Sequence, residues 1–146
     1  MSDVVQSAVS DEFPRVTSIS MVPKRLASAD KNWGMATGKV PETLLGMVRV
    51  ESSDGTVGWG AAAIGAQIIS GESLESAAGT VEAGRAAVLG QSVFDVNVMM
   101  RGVDRSIHGN PRAKAGVDAA LRDLLAKTAG VPLFATLGGR FRSSIP

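Results

Sequence analysis

Few side chains in this sequence belong to the types that perform acid–base, nucleophilic or metal chemistry. The chain has one histidine, His108, and it has no cysteine and no tyrosine. A general base or metal ligand normally works with a second such group, and His108 has no other histidine or cysteine beside it. We therefore interpret His108 as a surface or capping residue. The lack of cysteine excludes disulfides, zinc–thiolate sites and cysteine nucleophiles.

Two aspartates share a predicted helix near the C-terminus. Asp118 and Asp123 are five positions apart, which places them roughly 140° apart around a helix, too far to chelate one ion together. Each is followed four residues later by a basic residue, Arg122 or Lys127. This spacing predicts two ion pairs on the helix surface.

Two short motifs fit cofactor or nucleophile chemistry only in part. Gly58-Trp59-Gly60 begins like a dinucleotide-binding loop, but Ala63 stands where the third glycine would be and no capped helix follows directly. We interpret this motif as a glycine-rich strand end that packs closely on another element. Ser143-Ser144 belongs to no motif that pairs a serine with a histidine, so serine nucleophile catalysis has no support.

Aromatic and basic side chains are the remaining candidates for ligand contact. Arg140 and Arg142 flank Phe141, a pattern that we interpret as a solvated linker or an interface and not as a nucleic-acid site. Trp59 lies in an alternating segment, which predicts a core position. Trp33 lies beside a glycine in a predicted loop, where ligand stacking and a structural role are equally open.

The composition describes a folded domain with little net charge. Fifteen Lys and Arg residues face 14 Asp and Glu residues, giving a formal net charge of +1. This balance argues against nucleic-acid or membrane-surface binding. No apolar run approaches the ~20 residues that span a bilayer, and residues 1–12 do not resemble a secretory signal. We therefore expect a cytoplasmic protein with no nucleic-acid and no membrane partner.

Alternation of apolar and polar residues predicts three strands in the first part of the chain. The predicted strands cover 17–22, ending before Pro23, then 43–52 and 56–60. Ser53-Asp54-Gly55 predicts a hairpin turn, because Asp and Gly tolerate the positive φ of tight turns. The segments 24–42 and 61–70 are predicted to form two flaps, and residues 1–14 a loose N-terminal tail.

A helical period replaces the alternation in the second part of the chain. The predicted buried stripes are Leu74, Ala77, Ala78, Val81, Val88 and Leu89; Val96, Met99, Met100 and Val103; and Ala113, Val117, Ala120, Leu121 and Leu124. Asn110 is the predicted N-cap of the last helix and Pro111 its first residue. A last helical turn at 132–137 is predicted to end at Gly138-Gly139. Strands followed by helices predict an α+β fold, a three-stranded antiparallel meander and then a helical bundle.

Three blocks of sequence, in order, resemble one known domain. These blocks are Asp54-Gly55 with Val57-Gly58-Trp59-Gly60; Ser70-Gly71-Glu72; and Ala113-Lys114-Ala115-Gly116-Val117-Asp118 through Leu137-Gly138-Gly139-Arg140. Residues 15–146 are therefore similar to the N-terminal capping domain of the enolase superfamily, in its mandelate racemase/muconate lactonizing enzyme family. The family commonly has Glu after its Gly-x-Gly, where this chain has Ala61-Ala62.

The resemblance implies a Mg²⁺-dependent enzyme that removes a proton α to a carboxylate, as a racemase, epimerase or cycloisomerase. A (β/α) barrel would supply the Lys and His bases and three carboxylates for Mg²⁺. This chain ends where the first barrel strand would begin, so no catalytic or metal residue is assigned and the 146-residue chain alone is expected to be inactive. A dehydratase of hydroxy or sugar acids, and a stand-alone non-catalytic binding module, remain as alternatives.

The resemblance also implies which part of this chain meets the substrate. Residues 15–140 would form the capping domain, and residues 141–146 a linker towards the barrel. The expected partners are a small carboxylate substrate, the barrel domain of the same protein and a second copy in a homo-oligomer. The two flaps would supply the substrate contacts, with the candidates Arg25, Lys31, Trp33, Ile64, Gln67 and Ile69.

Overall fold

A computed structural model describes residues 13–36, 38–64 and 70–144 of the protein. The strands among these residues are β1 Val16–Ala27, β2 Gly34–Met35, β3 Gly38–Lys39, β4 Glu42–Ser52 and β5 Val57–Ala63. The main sheet is antiparallel and contains three of them in the order β1-β4-β5. The short strands β2 and β3 pair with each other as a separate hairpin. The predicted three-stranded meander is confirmed.

Strand β1 is longer than its sequence predicts. It passes through Pro23 and continues to Ala27, which pairs with Glu42 of β4. Because β1 is an edge strand of its sheet, a proline within it does not have to donate to a second neighbouring strand. The prediction that the strand ends at Pro23 is therefore wrong. The first flap, predicted to cover 24–42, is therefore shorter and covers 28–41. It contains the β2–β3 hairpin.

The side of the sheet that faces the helices is lined by small or branched residues. Val48 and Val50 are fully buried on this side, as their alternation predicts. Trp59 points the other way and is 42% exposed, so its predicted core position is wrong. Its neighbours Gly58 and Gly60 occupy the buried positions of β5, and the indole consequently faces outward.

The helices of the described residues are α1 Leu74–Val88, α2 Val96–Ser106 and α3 Pro111–Thr128, followed by a 3-10 helix at Leu133–Leu137. The sheet and these helices enclose the main core, which includes Ile19, Val81, Val88, Met99, Val103, Val117, Leu121 and Leu124. The α+β prediction and the ion pairs Asp118–Arg122 and Asp123–Lys127 are confirmed. Ala78 is exposed instead of buried, because Thr80 and Gly84 complete the buried face of α1.

Helix α3 lies directly against β5, with no room for side chains at their closest approach. A Cβ on Gly58 would lie 2.6 Å from Leu124 Cβ, and one on Gly60 would lie 2.6 Å from the Ala120 nitrogen. From the helix side, a Cβ on Gly116 would lie 2.9 Å from the Ala62 nitrogen. The glycines therefore set the spacing of sheet and helix. The interpretation of Gly58-Trp59-Gly60 as a closely packed strand is confirmed.

Side chains of α3 also bind the free edge of β5. The Trp59 N–H donates to Asp123 at 2.8 Å, and Lys127 Nζ donates to the Val57 carbonyl at 2.9 Å. Asp123 and Lys127 contact each other at 2.6 Å. An unpaired strand edge can recruit another strand, and these contacts occupy part of that edge.

Candidate functional site

The bases of the two predicted flaps meet at one end of the main sheet. There β1 ends at Ala27, β4 begins at Glu42 and β5 ends at Ala63, and cross-strand pairing keeps these ends together. A cleft of about 430 Å³ opens at this end, between the sheet and the first turn of α1. We call it the base cleft. Its lining residues are Arg25, Glu42, Leu44, Ile64, Ser73, Leu74 and Glu75.

One wall of the base cleft is charged. The Arg25 guanidinium forms an ion pair with the Glu42 carboxylate across the first two strands of the sheet. Their side chains are 69% and 49% exposed, so solvent screens the attraction and the pair contributes little to stability. Water and any entering ligand can reach Arg25, which is one of the predicted substrate contacts.

The floor of the base cleft is apolar and buried. Ile64 is only 3% exposed and belongs to a small core cluster with Ala62, Ala77 and Ala113. Its N–H donates to the Leu44 carbonyl at 2.9 Å, which extends the pairing of β4 and β5 by one residue. Ile64 was a predicted flap contact, and the structure places it where the second flap leaves the sheet. It offers a ligand a small apolar surface.

The opposite wall of the base cleft is the N-terminus of α1. Ser73 and Ser76 form a reciprocal capping box, with Ser73 Oγ accepting from the Ser76 N–H at 3.2 Å and Ser76 Oγ accepting from the Ser73 N–H at 2.9 Å. The hydrogen bond from Ser73, followed by that from its own backbone N–H, lowers the pKa of Glu75. Glu75 is therefore ionised at neutral pH, and it adds a negative charge to this wall.

The other predicted contacts are not part of this lining. Lys31 and Trp33 are exposed residues of the first flap. Backbone hydrogen bonds hold that flap: the Trp33 N–H donates to the Asp30 carbonyl at 3.1 Å in a turn, and the Val40 N–H donates to the Trp33 carbonyl at 3.0 Å beside the β2–β3 hairpin. Gln67 and Ile69 lie outside the described residues.

Sequence reasoning gave no functional weight to Glu72, which the structure buries beside the base cleft. Glu72 is 3% exposed, and its two carboxylate oxygens accept from the backbone N–H groups of Arg112 and Ala113, each at 2.9 Å. Asn110, the predicted N-cap of α3, occupies the cap position in a left-handed conformation without a side-chain cap bond. The first turn of α3 contains no acidic residue. This absence was the signal in the sequence that an acid from elsewhere supplies the cap.

The described residues do not fit a resident Mg²⁺ site. They contain no group of three or more His, Cys, Asp or Glu side chains placed to hold a metal ion. Mg²⁺ favours octahedral oxygen ligation with at least one or two carboxylates. We therefore derive no metal-dependent step from this chain.

No helix among the described residues is long and apolar enough to cross a membrane.

The molecule is thus an α+β domain in which a flap base, an apolar floor and a helix terminus meet at one end of the sheet. The family model of the mandelate racemase/muconate lactonizing enzyme N-terminal domain matches residues 17–138, and the chain belongs to this family. The predicted resemblance to an enolase-superfamily N-terminal domain is confirmed.

Relatives of known activity in this family catalyse several reactions. The chain is 42% identical over 59 residues to chloromuconate cycloisomerase of Cupriavidus pinatubonensis, a match that covers 40% of this chain and 16% of the relative. It is 34% identical over 99 residues to L-Ala-D/L-Glu epimerase of Clostridium acetobutylicum, covering 68% of this chain and 27% of the relative.

Solved structures of longer enzymes contain the same domain. Muconate lactonizing enzyme from Pseudomonas fluorescens, complexed with muconolactone, aligns with a TM-score of 0.82 and 28% identity over 92% of this chain and 37% of that one. A dipeptide epimerase from Cytophaga hutchinsonii, complexed with Mg and D-Ala-L-Val, aligns with a TM-score of 0.78 and 26% identity over 88% and 34%. The chain therefore spans little more than a third of these structures at most.

Proposed function

We propose that this chain is the capping and specificity domain of a Mg²⁺-dependent racemase, epimerase or cycloisomerase that removes a proton α to a carboxylate. The observation that carries the proposal is the base cleft, where both flap bases and a helix N-terminus converge at one open end of the sheet. Family membership supports the reaction class, because its relatives include an epimerase, a racemase and cycloisomerases. The bases and the Mg²⁺ ligands would belong to a barrel domain of the same protein.

In this proposal the domain's own residues bind and enclose the part of the substrate that does not react. Flaps that close over a substrate exclude water and orient it, and they thereby select its distal group. Arg25 would attract a negative distal group, and Ile64 would contact an apolar one. Lys31 and Trp33 would act from the first flap, and Gln67 and Ile69 from the second.

A second surface supports a barrel domain as the partner. Near the C-terminus, the 3-10 helix and its flanks expose apolar side chains that no described element covers: Val131, Leu133, Phe134, Leu137 and Phe141. Exposed apolar patches of this kind mark interaction surfaces. The Arg140 guanidinium lies 4.8 Å from the centre of the Phe134 ring.

We propose that residues 15–140 form the capping domain and that residues 141–146 form a linker.

The outward face of the sheet supports self-association of the protein. Val22 and Trp59 are 50% and 42% exposed on this face, and Leu26 follows on the same side of β1 by strand alternation. Apolar residues at such positions lose contact with water when a second copy covers them. We therefore propose a homo-oligomer.

A dehydratase is the second candidate reaction. Cis-3-hydroxy-L-proline dehydratase of Roseibium aggregatum is 25% identical over 132 residues, covering 90% of this chain, the widest coverage among the curated relatives described here. Elimination and inversion both begin with loss of the α-proton, so the cap does not separate them. Product analysis does, because elimination releases water and inversion or ring closure does not.

The test uses the protein as its native source makes it. An intact mass of about 40 kDa would match this domain plus a barrel. The protein of that mass is then incubated in D₂O with a panel of α-substituted carboxylates. We expect Mg²⁺-dependent exchange of the α-proton, lost on chelation with EDTA, and none from the 146-residue chain. The proposal would be contradicted if a barrel-containing protein exchanged the α-proton of no carboxylate in the panel. A native mass of 15.0 kDa would favour a non-catalytic binding module.

A further inference from the structure

The N-terminus of α3 receives its cap from a distant part of the chain. An α-helix leaves its first four N–H groups without partners in the helix, and the side chain of Asn110 makes no cap bond here. Glu72, 40 residues earlier, accepts from the Arg112 N–H through one oxygen and from the Ala113 N–H through the other. A carboxylate at this end is also favoured by the helix dipole.

The same helix terminus holds the end of β5. The Arg112 guanidinium donates to the Ala63 carbonyl at 2.6 Å. Arg112 thus joins two elements at once, because its backbone N–H binds Glu72 while its side chain binds Ala63. Charge-assisted hydrogen bonds of this type are among the stronger polar contacts in proteins.

Both bonded residues stand next to the base cleft in the chain. Ala63 directly precedes Ile64, which forms the floor, and Glu72 directly precedes Ser73, which begins the helical wall. Since consecutive Cα atoms are about 3.8 Å apart, neither Ile64 nor Ser73 can move far while Arg112 and Glu72 keep their bonds. The spacing of floor and wall is therefore set at the first turn of α3.

We propose that Glu72 and Arg112 are positioning residues that hold the floor and the helical wall of the base cleft at a fixed separation. The proposal deepens the proposed function, on which it rests for the meaning of the cleft as a specificity site. Neither residue lines the cleft itself. They act through Ile64 and Ser73, and their loss would alter which distal groups fit without touching the reacting atoms.

Amide hydrogen exchange on the 146-residue chain tests the positioning directly. In Arg112→Ala we expect about tenfold less protection of the Ile64 N–H, the loss that follows from removing one charged hydrogen bond. Glu72→Gln keeps the shape of the side chain but replaces one accepting carboxylate oxygen by an NH₂ donor. In this variant we expect a similar loss of protection at the Ser73 N–H. Arg112→Lys retains a donor and should restore most of the protection at Ile64.

Arg122→Ala is the matched control, since Arg122 lies on the same helix and its side chain donates to Asp118 within that helix. It should leave both amides unchanged. The hydrogen bonds of the pair join α3 to Glu72 and to β5, so the amides of α2 should keep their protection in every variant. Loss of protection throughout α2, or unchanged protection at Ile64 in Arg112→Ala, would overturn the positioning role.

A kinetic measurement on the barrel-containing enzyme completes the test. Arg112→Ala should raise KM about tenfold for a substrate with a bulky distal group while kcat changes less than about twofold, because only binding interactions are lost. Equal losses in kcat and kcat/KM would overturn the proposal. Failure of the unsubstituted enzyme to exchange α-protons would instead refute the proposed function, and the exchange experiment would still decide the positioning role.

Discussion

The middle and the C-terminal end of strand β5 show opposite kinds of packing. Along its middle, Gly58 and Gly60 touch α3 so closely that no Cβ could be added. At its end, Ile64 borders an open cleft of about 430 Å³ whose other walls are charged and largely exposed. We call the first region the glycine seam. One short strand thus joins a tightly packed part of the domain to an open cleft.

This difference separates residues that determine the shape of the domain from residues that can vary with the ligand. Backbone atoms in the glycine seam cannot move aside, so substitutions there should be costly. The charged side chains of the base cleft, Arg25, Glu42 and Glu75, are exposed to water, so substitutions of these three should leave stability almost unchanged. A domain built in this way can change specificity without losing its fold.

The largest effect is expected at the glycine seam. In Gly60→Ala the new methyl group would overlap the Gly116 carbonyl and lie 2.6 Å from the Ala120 nitrogen. These are backbone atoms, which no rotamer change can displace, so we expect a loss of about 3 kcal/mol or more in the free energy of unfolding. Urea unfolding followed by circular dichroism measures it.

Gly79→Ala is the matched control for Gly60→Ala. A Cβ on Gly79 would meet nothing within 4 Å, and the residue lies inside α1. Alanine should therefore stabilise the helix by up to about 1 kcal/mol. If both glycine variants had the same stability, the glycine seam would not be the rigid part of the molecule.

The next effect compares a core leucine with a flap tryptophan. Leu124 is fully buried against β5, whereas Trp33 is 49% exposed. Leu124→Ala should lower the free energy of unfolding by about 2–5 kcal/mol through lost burial and a residual cavity. Trp33→Ala should change it by less than about 0.5 kcal/mol. A thermal melt of each variant decides, and comparable losses would mean that the first flap is part of the core.

A smaller effect is expected at the hairpin turn between β4 and β5. The hydrogen bond from the Ser52 hydroxyl, followed by that from the Thr56 N–H, lowers the pKa of Asp54 below its ordinary value of 3.8. A lowered folded-state pKa stabilises the protein above the unfolded pKa, and this contribution is lost as pH falls through the folded value.

Asp54→Asn should therefore be less stable than the unsubstituted protein at pH 7, by less than about 1 kcal/mol because the turn is exposed. The difference should shrink as pH falls through the folded-state pKa of Asp54, because the carboxyl is then protonated in both states. Unfolding curves at a series of pH values measure it, with Ser52→Ala as a control that removes the main donor. A difference that persists unchanged to pH 2 would show that the ionised form is not what stabilises the turn.

The smallest effect on stability is expected at the base cleft. Arg25→Gln removes the exposed ion pair with Glu42 and should cost less than about 0.5 kcal/mol. Arg85→Gln, which breaks the exposed pair with Glu82 on α1, should cost about as much. In the barrel-containing enzyme, however, only Arg25→Gln should change KM, by several-fold for a substrate with an anionic tail. Equal KM values in the two variants would remove Arg25 from the substrate contacts.

Much of the fold follows from the sequence because its signals are local. Alternation predicts the meander, the 3.6-residue period predicts the helices, and four-residue spacing predicts the ion pairs of α3. The order of three short motifs was sufficient to predict the family, which the match over residues 17–138 confirms. The signals for the meander, the helices and the ion pairs each lie within one element or its immediate neighbours, whereas the family signal comes from the order of separate motifs.

Other features were decided only when distant elements came together. Trp59 faces outward because the glycines beside it must meet α3, and β1 passes through Pro23 because it lies at the edge of its sheet. Glu72 caps a helix that begins about 40 residues later. A chain's local pattern states which residues prefer burial and which conformations they adopt, but only tertiary packing determines which surface faces which neighbour and which buried charge receives which donors.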